Sequence, residues 1–366
     1  MKNTIKLSLV AAVAVAGLTT NAAAGSLADA IKDTTISGKA LIGYNYVDND
    51  LTNATSNTTE YDLDITMTTK VNDTISFTTG VEADHDIAND GNVTTDAGKG
   101  NEIGLTKAYF TAKTDVATVM IGKQKQPTPF YDDERGDGVV AIIPAGPVTL
   151  AAGHFTGMNS SVNGIAALPN AEYDISAAAI IGSFGPINAS VWYANLGSNL
   201  ADAYSINVNG KFDIVNVDLT HSSAELGAAN SENESLTKLI VSAKVADVNL
   251  VAGYGMTNNT TNRVHGVDLT NDNDAKTNMV MDQIKLDAYN DADAILLGAS
   301  MTFGATTVGA NYLMATIDGN GGTDTKGKEL DLTVKYAMSK NFSITGLYAD
   351  TTIKTSGAAD TQDTKH

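Results

Sequence analysis

The 366-residue chain contains no cysteine. Disulfides, thiolate metal centres and cysteine nucleophiles are therefore excluded. Proline is scarce too: six residues, all between Pro127 and Pro186 and none inside an alternating stretch. Positive charge is sparse, with 23 Lys+Arg against 42 Asp+Glu, only two arginines and a net charge of −19. A nucleic-acid partner needs lysine and arginine for its phosphates, so none is expected. The acidity suits a solvated surface or a path that attracts cations. The signatures HExxH, GxSxG, GxGxxG and the P-loop are all missing, and His85, His154, His221, His265 and His366 are scattered. No catalytic residue and no cofactor is expected. A lipid-facing hydrolase would need a serine beside an oriented histidine; His221 next to Ser222 and Ser223 shows no orienting partner in the sequence.

The one long apolar run lies at the start. Lys2 and Lys6 precede an apolar core, Leu7 to Leu18, followed by Ala22 and Ala24 in an A-x-A arrangement. That core is too short to span a bilayer. Residues 1–24 therefore read as a cleaved secretory signal, and 25–366 as the mature chain. Ser26 and Asp29 in "SLADAIKD" fit a helix start. No later apolar stretch reaches the roughly 18 residues of a membrane helix.

From Thr35 the apolar period becomes two. In "YDLDITMTTKV", Tyr61, Leu63, Ile65, Met67 and Val71 alternate with Asp62, Asp64, Thr66, Thr68 and Lys70. One face is apolar and the other polar, which is how a half-buried strand reads. The pattern recurs to residue 351, giving seventeen strands. Tight turns such as "PAGP" and "SFG" alternate with longer polar loops, the longest about 257–293. Short connections at one end and long ones at the other mark an outer-membrane barrel. Tyr44, Tyr46, Tyr193, Tyr204, Tyr254 and Tyr348 fall at the long-loop ends. Phe77, Phe184, Phe212, Phe303 and Phe342 fall at the tight-turn ends. Two aromatic belts at two depths suit the two interfaces of a membrane.

The fold class expected is all-β: a transmembrane antiparallel barrel of 16–18 strands. Its apolar residues face lipid, and its charged residues face a water-filled lumen too wide to pack with side chains. Lys39, Asp62, Asp64, Lys70, Glu82 and Asp84 are assigned to the lumen by alternation, as are Asp174, Asp218, Lys238 and Asp331. Residues 352–366 read as a polar loop tail with no return strand, so the sequence is expected to stop one strand short of an even number. In the 257–293 loop, Met279, Met281, Ile284 and Leu286 are out of place in solvent and are expected to pack on the rim or in the pore mouth. Asp318, Asn320 and Asp324 have oxygen ligands at spacing that makes them a candidate for Ca²⁺, without the EF-hand register.

The signal followed by "SLADAIKD", the "GKQ…TPF" segment, "GDGVVA" and "GPVTLAAGHF" together resemble the Campylobacter-type (epsilonproteobacterial) major outer-membrane porin family. The resemblance implies an 18-stranded homotrimeric general porin whose third loop folds into the lumen. Carried over, residues 125–137 would be that loop, stiffened by Pro127 and Pro129 and anchored by Phe130 and Tyr131. Lys123, Lys125, Asp132, Asp133, Glu134, Arg135 and Asp137 would set the field at the constriction. The resemblance breaks at the end, where the family has a strand with a terminal aromatic and this chain has "TTIKTSGAADTQDTKH".

The expected function is a general-diffusion porin, weakly cation-selective, passing small hydrophilic solutes and set among outer-membrane lipid and lipopolysaccharide. The alternative is a barrel acting mainly as an adhesin or surface structural protein.

Overall fold

The computed structural model describes residues 33–49, 54–88, 102–131, 135–158, 174–195, 202–225, 232–260, 267, 275–318, 324–355 and 362–365. The signal segment, residues 26–32 of "SLADAIKD", Asp132, Asp133, Glu134 and Asn320 lie outside the described residues.

Eighteen strands appear rather than seventeen. They are β1 (Thr34–Asn49), β2 (Ala54–Lys70), β3 (Ile75–Ala88), β4 (Glu102–Lys113), β5 (Thr118–Lys125), β6 (Arg135–Ala145), β7 (Val148–Met158), β8 (Ile175–Phe184) and β9 (Ile187–Asn195). Then follow β10 (Asp202–Phe212), β11 (Val215–Ala224), β12 (Glu234–Val245), β13 (Val248–Thr257), β14 (Ala292–Phe303), β15 (Thr306–Ile317), β16 (Thr325–Ala337), β17 (Ser343–Thr355) and β18 (Gln362–Lys365). Each pairs antiparallel with its sequence neighbours, and β18 pairs with both β17 and β1. The expected loop tail is thus corrected: β17 continues to Thr355 and a short strand follows. "QDTK" is polar and four residues long, so it offers no alternation to read. β18 joins only the loop ends; along the rest of their length β1 pairs with β2 alone and β17 with β16 alone.

Two-residue turns link five hairpins with positive φ at the first turn position: Gly146, Gly185, Asp213, Ala246 and Gly304. Type II′ turns need that φ and match the twist of the strands they join.

The outer face is apolar. Ile103 is 74% exposed, and Leu150, Ile180, Leu219, Leu297 and Val334 are also exposed. So many exposed aliphatics around one ring have no place in water. Tyr44, Tyr193, Tyr204 and Tyr254 ring the loop end and Phe184, Phe212, Phe303 and Phe342 the turn end, all exposed. Tyr336 departs from this sorting, being exposed at the turn end of β16. The buried apolar cluster lies inside the ring and contains Phe130, Phe155, Leu236, Met279, Ile284 and Leu313.

β8 is turned over relative to expectation. Ile175 and Ala179 are buried and Ile180 is exposed, and Asp174 precedes the strand at an exposed position. "ISAAAII" is apolar at nearly every position, so nothing in it sets the phase, and a one-residue shift reverses every side chain.

Candidate functional site: a lumen with two inward segments

The first inward segment follows β5. Pro127 and Pro129 fix φ and cannot donate to a ladder, so the strand ends here. Phe130 (0% exposed) and Tyr131 are buried with Val140 of β6, Phe155 of β7 and Ile175 of β8. Burying a ring of that size contributes about 1.5–3 kcal/mol, which pins the segment to the inner wall. Its other side faces water. Lys125, Pro127, Pro129 and Tyr131 line a cavity of about 740 Å³ whose far wall is β9 to β12. That wall is polar: Ser190, Ser205, Asn207, Asn209, Asp218 and Thr220, with Trp192 and Ile240 the apolar members. The side chains hold one another. Asn207 donates to Asp218 (2.8 Å) and Thr220 (2.8 Å), and Asn209 donates to Asn207 (2.7 Å). Gln126 and Thr128 of the segment, with Lys238 and Lys276, complete the lining.

A second wall carries paired charge. Lys39 on β1 bridges to Asp62 on β2, and Lys107 on β4 reaches Asp64 on β2 at 3.2 Å and Thr66 at 2.9 Å. Lys107 crosses β3 to do so, passing over Gly80, where an added Cβ would sit 3.0 Å from its side chain. Arg135, the first residue of β6, meets Glu82 on β3 at 3.0 Å. Three strand spacings separate those strands, roughly 14 Å along the sheet. A single side-chain pair spans that only across the concave inside of the curved wall. Arg135 thereby ties the return of the first inward segment to the barrel.

The second inward segment is the stretch 275–291 between β13 and β14. It contains a β-bridge, Val280 to Lys285, and one 3₁₀ turn, Leu286–Ala288. Met279, Met281, Ile284 and Leu286 are buried with Leu236 of β12, Ala294 of β14 and Leu313 of β15. Room comes from Gly255, whose added Cβ would lie 2.5 Å from the Met279 sulfur. The polar anchors are specific. Glu329 on β16 accepts the backbone N–H of Gln283 (2.7 Å) and of Ile284 (2.6 Å). Lys238 donates to the carbonyls of Lys276 (2.6 Å) and Asn278 (2.5 Å). Asp287 accepts the N–H of Val267, and Thr257 donates to the carbonyl of Tyr289. The apolar residues that were odd in a solvated loop form a small core inside the barrel, rather than a cap on the rim.

Other expected residues fall as follows. Lys123 and Asp137 are cross-strand partners, flanked in register by Ile121 opposite Val139. Both of those neighbours are exposed on the outer wall, so alternation turns Lys123 and Asp137 outward. The "GKQKQ" run carries no apolar residue to fix its phase. Lys70 bonds Asp73 in the adjoining turn at 2.8 Å, on the exposed turn-end rim instead of the lumen wall. The side chain of Asp84 is outside the described residues; its backbone pairs with Asp62 and Glu102. Asp331 is buried on β16 beneath the second segment. Asp318 donates its N–H to Asp291, and Asp324 sits in a cavity with three lysines, poor surroundings for a cation. Among the described residues no three His, Cys, Asp or Glu gather as metal ligands. His221 bonds Thr237 through Nδ1 (2.8 Å) and contacts Tyr204, a hydroxyl and a ring rather than a carboxylate.

Lys107 was missed. In sequence it shares the phase of Ile103 and Leu105, which face out. A bulge leaves Thr106 outside the ladder: Gly80 pairs with Lys107 and Val81 with Leu105. Bulges shift the side-chain phase of one strand. The available signal was the break between Leu105 and the outward Phe110, five residues apart instead of an even number.

A family model described as Gram-negative porin matches residues 8–356. Similar solved structures include OpdO from Pseudomonas aeruginosa, with TM-score 0.71, 14% identity and coverage of 91% of this chain and 95% of that one. A BenF-like porin from Pseudomonas fluorescens gives 0.70 at 15% identity, covering 91% and 97%. P. aeruginosa OpdK with vanillate gives 0.69 at 12% identity, covering 91% and 96%. At these identities the likeness is one of fold. No protein of curated function matches the sequence.

Proposed function

Because this chain belongs to the Gram-negative porin family, we propose that its lumen is a general-diffusion path across the outer membrane for small hydrophilic solutes and ions. Family and fold point to a channel in that membrane and not to an enzyme. The observation that carries the diffusion reading is the cavity of about 740 Å³ between the first inward segment and the Ser/Asn/Thr wall of β9 to β12. Its far wall is mainly polar, with Asn207, Asn209, Asp218 and Thr220 hydrogen-bonded to one another, and faces the apolar Pro127, Pro129 and Tyr131 of the segment. A pore that binds weakly and offers many small dipoles lets solutes both enter and leave.

Selectivity is the finer part of the proposal. A net charge of −19 concentrates cations at the mouths, and Asp132, Asp133 and Glu134 add to it if the first segment carries them inward. Weak cation preference follows. A second reading has its own support: Lys125, Lys238 and Lys276 line the cavity against Asp218 alone, which favours small carboxylates at that point. OpdK, a structural neighbour, was solved with vanillate. The signal segment, the homotrimer and the narrower kinship with Campylobacter-type porins rest on the sequence motifs and belong to this proposal.

Single-channel recording in a planar bilayer under a KCl gradient tests it. The expected result is stepwise openings, grouped in threes, with a reversal potential on the K⁺ side. A reversal on the Cl⁻ side favours the second reading. A folded barrel that passes no current overturns both.

A further inference from the structure

The cavity between the first inward segment and β9 to β12 is lined by polar groups that the protein leaves unsatisfied. Gln126 and Thr128 line it from the segment side. Gln126 is 1% exposed, yet neither its Nε2 nor its Oε1 has a hydrogen-bond partner among the described residues. The Thr128 hydroxyl, on a residue 8% exposed, has none either. Leaving a buried polar group unpaired costs about 1–3 kcal/mol. Buried side-chain polar atoms are nearly always paired, so these three call for a partner that enters from the cavity.

The orphaned atoms restrict what that partner can be. An amide donates through nitrogen and accepts through oxygen. A carboxylate ligand offers acceptors only, and an ammonium group donors only. A hydroxyl offers both from one group, and the Thr128 hydroxyl makes the same double demand. Charges on the far side are already engaged. Lys238 donates to the carbonyls of Lys276 and Asn278, and Asp218 accepts from Asn207 and Thr220. The demand left over is neutral.

The far wall adds a shape. Trp192 is the chain's one tryptophan. It packs partly against the buried cluster and also lines the cavity. Ser205 is its direct cross-strand partner. On the next inward rung, two residues nearer the turn end, Ser190 pairs with Asn207 and Asn207 with Thr220. An aromatic ring beside a row of hydroxyls and amides suits a ligand with a flat C–H face and a rim of hydroxyls. The electron-rich ring face meets the C–H groups, and the polar row meets the rim. A water molecule uses the amide but not the indole. A pyranose ring uses both, and a cavity of about 740 Å³ is in the size range of small-molecule sites.

We propose that this cavity is a binding site for neutral pyranose sugars, the ring lying on Trp192 and its hydroxyls meeting Gln126, Thr128 and the Ser190–Asn207 row. The inference rests on the diffusion reading, because the sugar reaches the cavity through the lumen. Binding is weak enough that the sugar leaves again.

The single tryptophan makes its emission a direct reporter in folded full-length protein in detergent. D-Glucose is titrated in, and a saturating change in emission is expected. Sorbitol carries its hydroxyls on an open chain without a ring face, and is expected to act about tenfold more weakly. Gln126→Met keeps the side chain's size and removes both polar atoms; the glucose midpoint is expected to rise about tenfold. Thr128→Val is expected to raise it about threefold. In bilayer recordings glucose is expected to lower the current in a saturating way, and to do so about tenfold more weakly through Trp192→Leu. If Trp192→Leu fails to fold, the Gln126→Met titration decides. No saturating response to glucose, a response to benzoate in its place, an equal response to sorbitol, or an unmoved midpoint in folded Gln126→Met overturns the proposal. A silent tryptophan in a conducting channel overturns the sugar site alone, whereas absence of current overturns the diffusion reading itself.

Discussion

The wall of β1 to β4 and the wall of β13 to β17 share one alternating design and end with opposite interiors. On the first, Lys39, Asp62, Asp64, Glu82 and Lys107 meet each other and solvent. On the second, the segment 275–291 lies across the strands, and Glu329 and Leu313 are 0% exposed. Alternation decides which side chains turn inward. It does not decide what they meet there. The first wall is satisfied by charges that reach across one to three strands on its inner face. The second needed glycine at 255, aliphatics at 236 and 313 and a carboxylate at 329 to receive a segment that departs after Thr257 and rejoins the barrel at Ala292.

The contrast yields three ways to break it. The largest effect is expected from replacing residues 276–289 with a short Gly/Ser linker. The covered wall then becomes bare, and conductance is expected to rise about twofold or more as the lumen widens; single-channel steps measure it, with heat-modified migration on gels as the check on folding. A smaller effect is expected from Glu329→Ala, which leaves the N–H groups of Gln283 and Ile284 without their acceptor. Losing a charged acceptor in a buried place costs about 1–3 kcal/mol for each orphaned group. Amide exchange at those two residues should quicken accordingly, and open-channel noise should rise as the segment loosens. The smallest is expected from Lys107→Met on the bare wall. Its partners stay in reach of water, where such pairs are worth about 0–1 kcal/mol. Melting is expected to be unchanged within about a degree or two for a chain of this size, while the reversal potential shifts toward K⁺ because a lumen cation has gone.

Much of this was legible in the sequence, for stated physical reasons. Seventeen strands could be read because most alternate long enough to carry a phase and are bounded by turn residues or polar loops. β18 could not, being four polar residues. β8 could be located but not oriented, since nearly all its residues are apolar. Lys107 was hidden by the Thr106 bulge, a backbone event with no composition of its own. The first inward segment was found through its prolines and aromatics, together with a family resemblance. Of the seven constriction residues expected, Lys125 lines the described cavity and Arg135 grips Glu82 on the inner wall. Lys123 and Asp137 turn outward by register, and the remaining three lie outside the described residues. The second inward segment showed itself only as misplaced methionines and leucines. Its partners lie on strands distant in sequence, where no local pattern links them.

The central claim is that the space between the first inward segment and β9 to β12 is the conducting path. The absence of native cysteine makes it directly testable by thiol block. Ser190 faces that cavity, and Val191, its neighbour on β9, is exposed on the outer wall. In single-channel recordings, a charged thiol reagent should reduce the current through the Ser190→Cys channel in discrete steps and leave the Val191→Cys channel untouched. A Ser190→Cys channel that reacts with the reagent yet keeps its full current would contradict the account.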